Sequence, residues 1–357
     1  MTQGILSRRE LGRLLAGACT CGAASLVAGC GVSGPLANPG ADPTAEPTTK
    51  STSKAASYDQ ISTTLFAFDT VVTITASCGQ ETLDVLAQRC QYFESIFSRT
   101  IATSDIGRIN TAAGASVQVA AETIDILDKA LAYCAESGGM FDITIGAVSS
   151  LWDFHEGVVP ADEALNEAAH HVDYTKVQLD GNTVTLQDPA AKLDLGGIAK
   201  GYIADDLCRM LAEAGCTSGF VNLGGNVKTL GTKPDGSPWH VGIQDPNDKT
   251  GKVVAAVYSQ GTSVVTSGLY ERQFSKDGKT YWHILDPRTG RPVQTDLVSA
   301  TIVSEASIDG DGYTKPLFMM GHDAALEWIN AHDGIEGLVV SADGTITQSD
   351  GCNASLL

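Results

Sequence analysis

Between Thr64 and Ser341 the apolar residues of this chain switch repeatedly between two periods, and never in a fixed order. Thr64 to Ala76 is rich in β-branched and aromatic residues and reads as a strand. Residues 81–98 carry Leu83, Leu86, Cys90, Phe93 and Phe97 at helical spacing. Residues 121–137 do the same with Ile124, Leu127, Leu131 and Cys134, and Gly138-Gly139 stops that helix. Val177 to Leu179 and Thr183 to Leu186 flank Asp180-Gly181-Asn182, a hairpin signal. The pattern then predicts a helix from Tyr202 to Ala214, strands at Val253–Tyr258 and Val298–Val303, a helix at Ala324–Asn330 and a strand at Gly337–Ser341. Such an irregular succession, with no internal repeat, predicts an α+β fold rather than a doubly wound parallel sheet.

The 357 residues divide into an address, a tether and a body. Residues 1–29 read as a signal peptide, because Ser7-Arg8-Arg9-Glu10-Leu11 precedes an apolar run too short to span a bilayer permanently. The arginine pair resembles the twin-arginine export signal. Val27-Ala28-Gly29-Cys30 resembles a bacterial lipobox, which implies cleavage before Cys30 and lipid on its sulfur. Residues 30–57 would then be a lipidated cysteine and a disordered linker, with Pro35, Pro39, Pro43 and Pro47 among Ser, Thr, Ala and Gly. Residues 58–357 form the folded domain. The expected location is the extracytoplasmic side of the cell membrane, held by the lipid anchor. A net charge of −19 argues against nucleic acid as a partner. Past Cys30 six cysteines remain, none in a C-x-x-C pair, so no structural zinc site is expected. Cys90, Cys134 and Cys208 fall in helical patterns and read as buried thiols. Export would allow some of the six to pair.

Four clusters of glycine and polar residues stand out. In Lys192-Leu193-Asp194-Leu195-Gly196-Gly197-Ile198-Ala199-Lys200-Gly201-Tyr202 an acidic residue leaves a strand, two glycines turn the chain and a helix begins. The N–H groups of such a start can hold an anion, and Lys200 adds charge. A plain connection with Asp194 as a helix cap has the same composition. Phe220 to Asn226 runs a strand into Gly224-Gly225 between asparagines, a tight turn or a place where a ligand approaches bare backbone. The third cluster joins Thr266-Ser267-Gly268-Leu269-Tyr270-Glu271-Arg272 to Tyr281-Trp282-His283-Ile284-Leu285-Asp286-Pro287-Arg288-Thr289-Gly290. The fourth, Ile308-Asp309-Gly310-Asp311-Gly312-Tyr313-Thr314-Lys315-Pro316, reads as a loop leading into a helix. It is not an EF-hand, because the twelfth position from Asp309 is Met320 rather than glutamate. Its carboxylates suit Mg²⁺, which commonly takes one or two of them together with water and substrate phosphates.

In this order the clusters resemble the FAD:protein FMN transferase family, the ApbE-type flavin transferases. The resemblance starts at Phe68-Asp69-Thr70, where the family has Met-Gly-Thr, and passes through Ser98, Ser104 and Asn110. It continues with Gly138-Gly139-Met140-Phe141-Asp142, Trp152, the run from Asp194 to Gly201 and Asn222 to Asn226. Thr266 to Tyr270, His283 to Gly290 and the segment before Leu317 to Gly321 complete it. It covers about residues 64 to 341. It implies two closely packed, T-fold-like subdomains with the FAD site between them. It also implies Mg²⁺-dependent transfer of FMN from FAD to a Ser or Thr hydroxyl of an exported or membrane redox protein, with release of AMP. Flavin or nucleotide contacts fall on Phe68, Met140, Phe141, Asp142, Asp194, Lys200 and Leu285. Metal contacts fall on the Gly197 carbonyl and on Asp311 with the residue four later. The family often has Thr at that later place, whereas this chain has Lys315 preceded by Thr314. A protonated ammonium cannot ligate Mg²⁺. Either Thr314 supplies the oxygen, or Lys315 takes over part of the metal's charge role. Asp311 and His283 are the catalytic candidates, His283 as a polar or FAD-orienting group. Two alternatives remain: an FAD pyrophosphatase in which water replaces the acceptor and the same residues serve, and a lipoprotein that binds flavin without turnover and has no need of the Asp311 metal site.

Overall fold

The computed structural model describes residues 59–248 and 250–357, so the expected signal peptide, the expected lipid site at Cys30 and the expected linker to residue 57 lie outside the described residues. In chain order the body begins with strands β1 (Ile61–Ala67) and β2 (Thr70–Ala76), helices α1 (Gln80–Phe97) and α2 (Asp105–Thr111), strand β3 (Val117–Gln118) and helix α3 (Ala121–Glu136). Short helices α4 (Gly146–Ser149) and α5 (Asp162–Ala169) lead to the hairpin β4 (Val177–Asp180) and β5 (Thr183–Leu186), then to helix α6 (Ala199–Glu213). Seven strands follow: β6 (Ser218–Leu223), β7 (Asn226–Gly231), β8 (Trp239–Gln244), β9 (Val253–Ser259), β10 (Ser263–Gly268), β11 (Gln273–Lys276) and β12 (Lys279–Trp282). The chain closes with β13 (Leu297–Ser304), α7 (Ser307–Met320), α8 (His322–Ala331), β14 (Glu336–Ser341), β15 (Ile346–Gln348) and β16 (Ala354–Leu356).

One sheet of eight strands, in the order β1-β2-β6-β7-β10-β13-β14-β15, organises the body. Every pairing in it is antiparallel, so the α+β expectation holds. The period of two along its strands separates two cores. On β14, Val339 packs with Ile302, Leu317, Phe318 and Ile329 beneath helices α7 and α8. Its neighbours Leu338 and Val340 turn the other way, onto Ile243, Ala255 and Val257 of the small β16-β9-β8 sheet. A larger cluster joins β2 and β6 to helices α1, α3 and α6 through Ile74, Leu86, Phe93, Leu127, Ile203, Leu207 and Val221. Cys90, Cys134 and Cys208 are buried free thiols in this cluster, as the helical patterns suggested.

Two segments fold differently from the sequence reading. Thr64–Ala76 is not one strand but a hairpin, turned at Phe68 and Asp69 with φ of 56° and 58°. A positive φ is unusual for a bulky residue, and no glycine announces the turn. Tertiary contacts hold it instead: the Phe68 N–H donates to Glu94 Oε1 at 3.1 Å, and Asp69 pairs with Arg272 at 3.0 Å. The aspartate-rich segment 308–316 is not a loop but the first part of α7, despite Gly310, Gly312 and Pro316. Asp205 of α6 caps it, accepting the N–H groups of Ser307 (2.8 Å) and Ile308 (3.0 Å). The glycines that weaken the helix locally let it settle onto the body. A Cβ at Gly310 would lie 2.4 Å from Val265, and one at Gly312 would lie 2.6 Å from Tyr133.

Candidate active site

Helices α6 and α7 meet at Gly201, where a Cβ would lie 2.5 Å from the Ser307 carbonyl oxygen. That contact brings the first turn of α6 against Asp311, whose side chain is 1% exposed. The Gly201 N–H donates to Asp311 Oδ2 at 2.6 Å, and Asn226 Nδ2 reaches the same oxygen at 3.3 Å. Asn226 is itself fixed by Ser307 Oγ, which donates to its Oδ1 at 2.6 Å. Lys315, one helical turn after Asp311, places Nζ 3.0 Å from Oδ1 and 3.2 Å from the Asp311 carbonyl oxygen. Lys200 Nζ stands 4.0 Å from Oδ1. Burial alone would raise the Asp311 carboxyl, but the two ammoniums and the Gly201 N–H outweigh it and hold the group below the usual carboxylate range. Burial pulls Lys315 down, and Asp311 offsets part of that.

The other candidates gather unevenly around this centre. The Phe141 ring lies against Gly197, 2.9 Å from where a Cβ would stand, and Lys315 Cε is 3.8 Å from the same point. Met140 precedes it, half-buried. Asp142 is committed to its own loop, with Oδ1 accepting the Thr144 N–H and hydroxyl and Oδ2 the Tyr174 N–H. Asp194 does not cap α6, which starts after Ile198 without a side-chain cap. It accepts from Gly196 N–H (2.9 Å) and Ser149 Oγ (2.6 Å) and pairs with Arg99 at 3.1 Å, so it shapes the glycine turn. Leu285 lies in a satellite cluster with Val148, Trp152 and Leu165. Of the two late aspartates, only Asp311 faces Lys200; Asp309 accepts from the Tyr133 hydroxyl instead. Residues two apart on a helix do not share a face.

His283 stands among the same cations. Its N–H donates to the Arg272 carbonyl at 3.1 Å, and its buried Nδ1 has no partner. Burial, then Arg272, Lys315 and Lys200, push its pKa down to about 3, so the imidazole is neutral. Burial raises the neighbouring Glu271 carboxyl, against the pull of Lys200 and Arg272. Arg272 ties this loop to the Phe68–Asp69 turn. Gly201, Asn226, Glu271 and Arg272 all stood in the sequence clusters without assigned roles. Only the crossing of α6 and α7 and the Asp69–Arg272 contact bring them to the site.

The donor set around Asp311 does not fit Mg²⁺ as the chain stands. Oδ1 is held by the Lys315 ammonium, and Oδ2 accepts two N–H donors. Thr314 Oγ1 is buried against Ser267 Oγ at 2.9 Å and reaches only the Asp311 main-chain oxygen, at 3.4 Å. Among the described residues no group of three or more His, Cys, Asp or Glu side chains could hold a metal ion. Mg²⁺ needs oxygen ligands at about 2.0–2.1 Å, a position that an ammonium beside Oδ1 blocks by size and by charge.

Known proteins resemble this chain over most of its folded body. The model of the ApbE family matches residues 68–339. A FAD:protein FMN transferase of Treponema pallidum is 34% identical over 279 residues, 73% of this chain and 77% of that protein. One of Klebsiella pneumoniae is 35% identical over 267 residues, 73% of this chain and 83% of that protein. The crystal structure of the ApbE protein of Thermotoga maritima superposes with a TM-score of 0.76 at 31% identity, covering 82% of this chain and 97% of that one. The apo flavinyl transferase ApbE of Pseudomonas stutzeri gives 0.72 at 26% identity. With the family model spanning most of the folded body, this chain belongs to the ApbE family.

Proposed function

We propose that this protein transfers FMN from FAD to a Ser or Thr hydroxyl of an acceptor protein and releases AMP. The observation that carries the reading is the convergence of Lys200 and Lys315 on the buried Asp311 beside the Gly196-Gly197 turn, in a chain of this family. The acceptor oxygen forms a bond to the FMN phosphorus of FAD. The bond from that phosphorus to the bridging oxygen breaks, and AMP leaves with the oxygen and its electron pair. Such a step depends mainly on positioning and on neutralising the phosphates. Lys200, Lys315 and the positive end of the α6 dipole supply positive potential. Phe141 against Gly197 supplies an apolar wall. The hydroxyl proton passes to the departing AMP phosphate or to solvent, and His283, neutral and with a buried Nδ1, serves as an FAD-orienting group.

Mg²⁺, which the family resemblance implies, would supply charge neutralisation at the pyrophosphate when bound. In this chain that neutralisation rests on Lys200 and Lys315. The acceptor is an exported or membrane redox protein, and the enzyme works on the extracytoplasmic face, anchored by lipid on Cys30. The leader and lipobox-like sequence support that location. Among the described residues no helix is long and apolar enough to cross a membrane.

The test incubates the protein with FAD and a candidate exported redox domain, with in-gel flavin fluorescence as the readout and AMP measured alongside. Covalent fluorescence on the acceptor with matching AMP is expected. Free FMN and AMP with no labelled protein would make it a pyrophosphatase, and FAD bound without either product would make it a flavin-binding module.

A further inference from the structure

We infer that the Lys315 ammonium fills the seat a divalent cation would otherwise take between Asp311 and the Gly197 turn. The pyrophosphate of FAD therefore meets two lysines in this chain where a Thr at 315 would leave room for a metal. The inference rests on the FAD reading for its ligand, but not on transfer taking place.

Three features place the ammonium there. Asp311 and Lys315 share one face of α7 at a spacing of four residues, with the acid N-terminal to the base, the favourable order on a helix. The Lys315 stem passes beside Gly197, Cε lying 3.8 Å from where a Cβ would stand, so the chain leaves the helix toward the glycine turn and not toward bulk water. Its Nζ is then pinned by two oxygens of Asp311, the carboxylate at 3.0 Å and the main-chain carbonyl at 3.2 Å. The lysine side chain keeps 18% exposure while Asp311 keeps 1%, so the lysine is the more accessible member of the pair.

The charges agree with this seat. One carboxylate faces two ammoniums, which leaves the centre with an excess of one positive charge before any ligand arrives. A dication entering beside Oδ1 would meet Lys315 in contact and Lys200 a few ångströms away. An anionic pyrophosphate meets the reverse: two donors of fixed position and an excess of matching charge. The hydroxyl of Thr314 offers no substitute ligand, because it is turned into the body against Ser267.

The experiment titrates the purified full chain with Mn²⁺ alone, followed by electron paramagnetic resonance, and with Mg²⁺ alone by calorimetry. The wild type should take up no stoichiometric ion. Lys315→Thr, which frees Oδ1 and adds a hydroxyl, should gain one site, at least about tenfold tighter than any wild-type binding. FAD binding by flavin fluorescence supplies the second readout. Wild-type affinity should be the same in EDTA and in Mg²⁺, whereas Lys315→Thr should bind weakly in EDTA and recover with Mg²⁺. Lys315→Met, which keeps the stem and removes the charge, should lose about tenfold in FAD affinity in either buffer. Stoichiometric Mn²⁺ uptake by the wild type that Asp311→Asn abolishes would overturn the inference, and so would folded Lys315→Thr protein with no gain of a site. If Lys315→Thr does not fold, the wild-type titration and Lys315→Met decide. Loss of transfer activity with these metal results intact would count against the proposed reaction alone.

Discussion

Asp142 and Asp311 are both buried carboxylates, and their surroundings push them in opposite directions. Burial raises Asp142, and its donors are neutral: the Thr144 N–H and hydroxyl and the Tyr174 N–H. Burial acts on Asp311 as well, but Lys200, Lys315 and the Gly201 N–H reverse its effect. One carboxylate ties a loop together within about thirty residues of sequence. The other collects partners from α6, β7 and α7 that lie up to 110 residues away. Burial alone therefore does not distinguish a structural acid from a site acid; the charge and origin of the donors do.

The sharpest way to break this comparison is Asp311→Ala. It leaves two ammoniums facing each other over a buried gap, and removal of one partner of a buried pair typically costs about 3–5 kcal/mol. Urea unfolding should show a loss of that size, partly restored by FAD. A loss under about 1 kcal/mol would mean that solvent reaches the centre and that the contrast with Asp142 is only apparent.

The next largest effect is on pH dependence. His283 is neutral when folded, with a pKa near 3, against about 6.5 when unfolded. In the window between those values the unfolded chain binds the extra proton. Its contribution to stability is therefore whole above about pH 6.5 and is lost as pH falls toward 3, with a slope of up to about 1.4 kcal/mol per pH unit. Asp311, whose folded pKa is depressed, loses its contribution only below the ordinary carboxylate range, whereas the raised carboxyls of Asp142 and Glu271 take up protons in the folded state and act in the opposite sense, so His283 is read from the difference between wild type and variant. Chemical denaturation at a series of pH values should give a shallower acid slope for His283→Gln than for the wild type. Equal slopes would place the imidazole in solvent.

Asp142→Asn sharpens the other side. The amide keeps one acceptor but turns a donor toward the Tyr174 N–H or the Thr144 pair, at a cost of about 1–3 kcal/mol in thermal or urea unfolding. A penalty larger than that of Asp311→Ala would invert the comparison. The smallest effect belongs to Arg272→Ala. Its ion pair with Asp69 is about half-exposed on both sides, and such pairs contribute about 0–1 kcal/mol. Any larger change in FAD affinity than in stability would show that the arginine acts on the ligand rather than on the turn.

Much of the framework is legible in the residues. Leu83, Leu86, Cys90 and Phe93 announce α1 because a helix returns the same face every three to four residues, and all four are buried. The Asp180-Gly181-Asn182 turn joins β4 to β5 as its composition says. The two failures share a cause. Phe68-Asp69 carries no turn residue for its first position, and the 308–316 segment carries two glycines and a proline that argue against a helix. In both places long-range contacts override the local preference: Glu94 and Arg272 hold the turn, and Asp205, Val265 and Tyr133 hold α7. With 308–316 read as a loop, only the family resemblance associated Asp311 with Lys315, because a spacing of four has physical meaning only on a helix. Asn226 was hidden, since an asparagine after Gly-Gly has the composition of an ordinary turn and its reach to Asp311 crosses 85 residues.

By itself the sequence determined the alternation of helical and extended segments in the body and the ordered motifs of a family, because each depends on neighbours within one or two turns of chain. Only the tertiary structure decided which donors surround Asp311: the Gly201 N–H, the Asn226 amide and the two lysine ammoniums. Those outcomes depend on α6 and α7 crossing at a glycine, and the electrostatics of a buried carboxylate follow from whatever that crossing brings within a few ångströms of it.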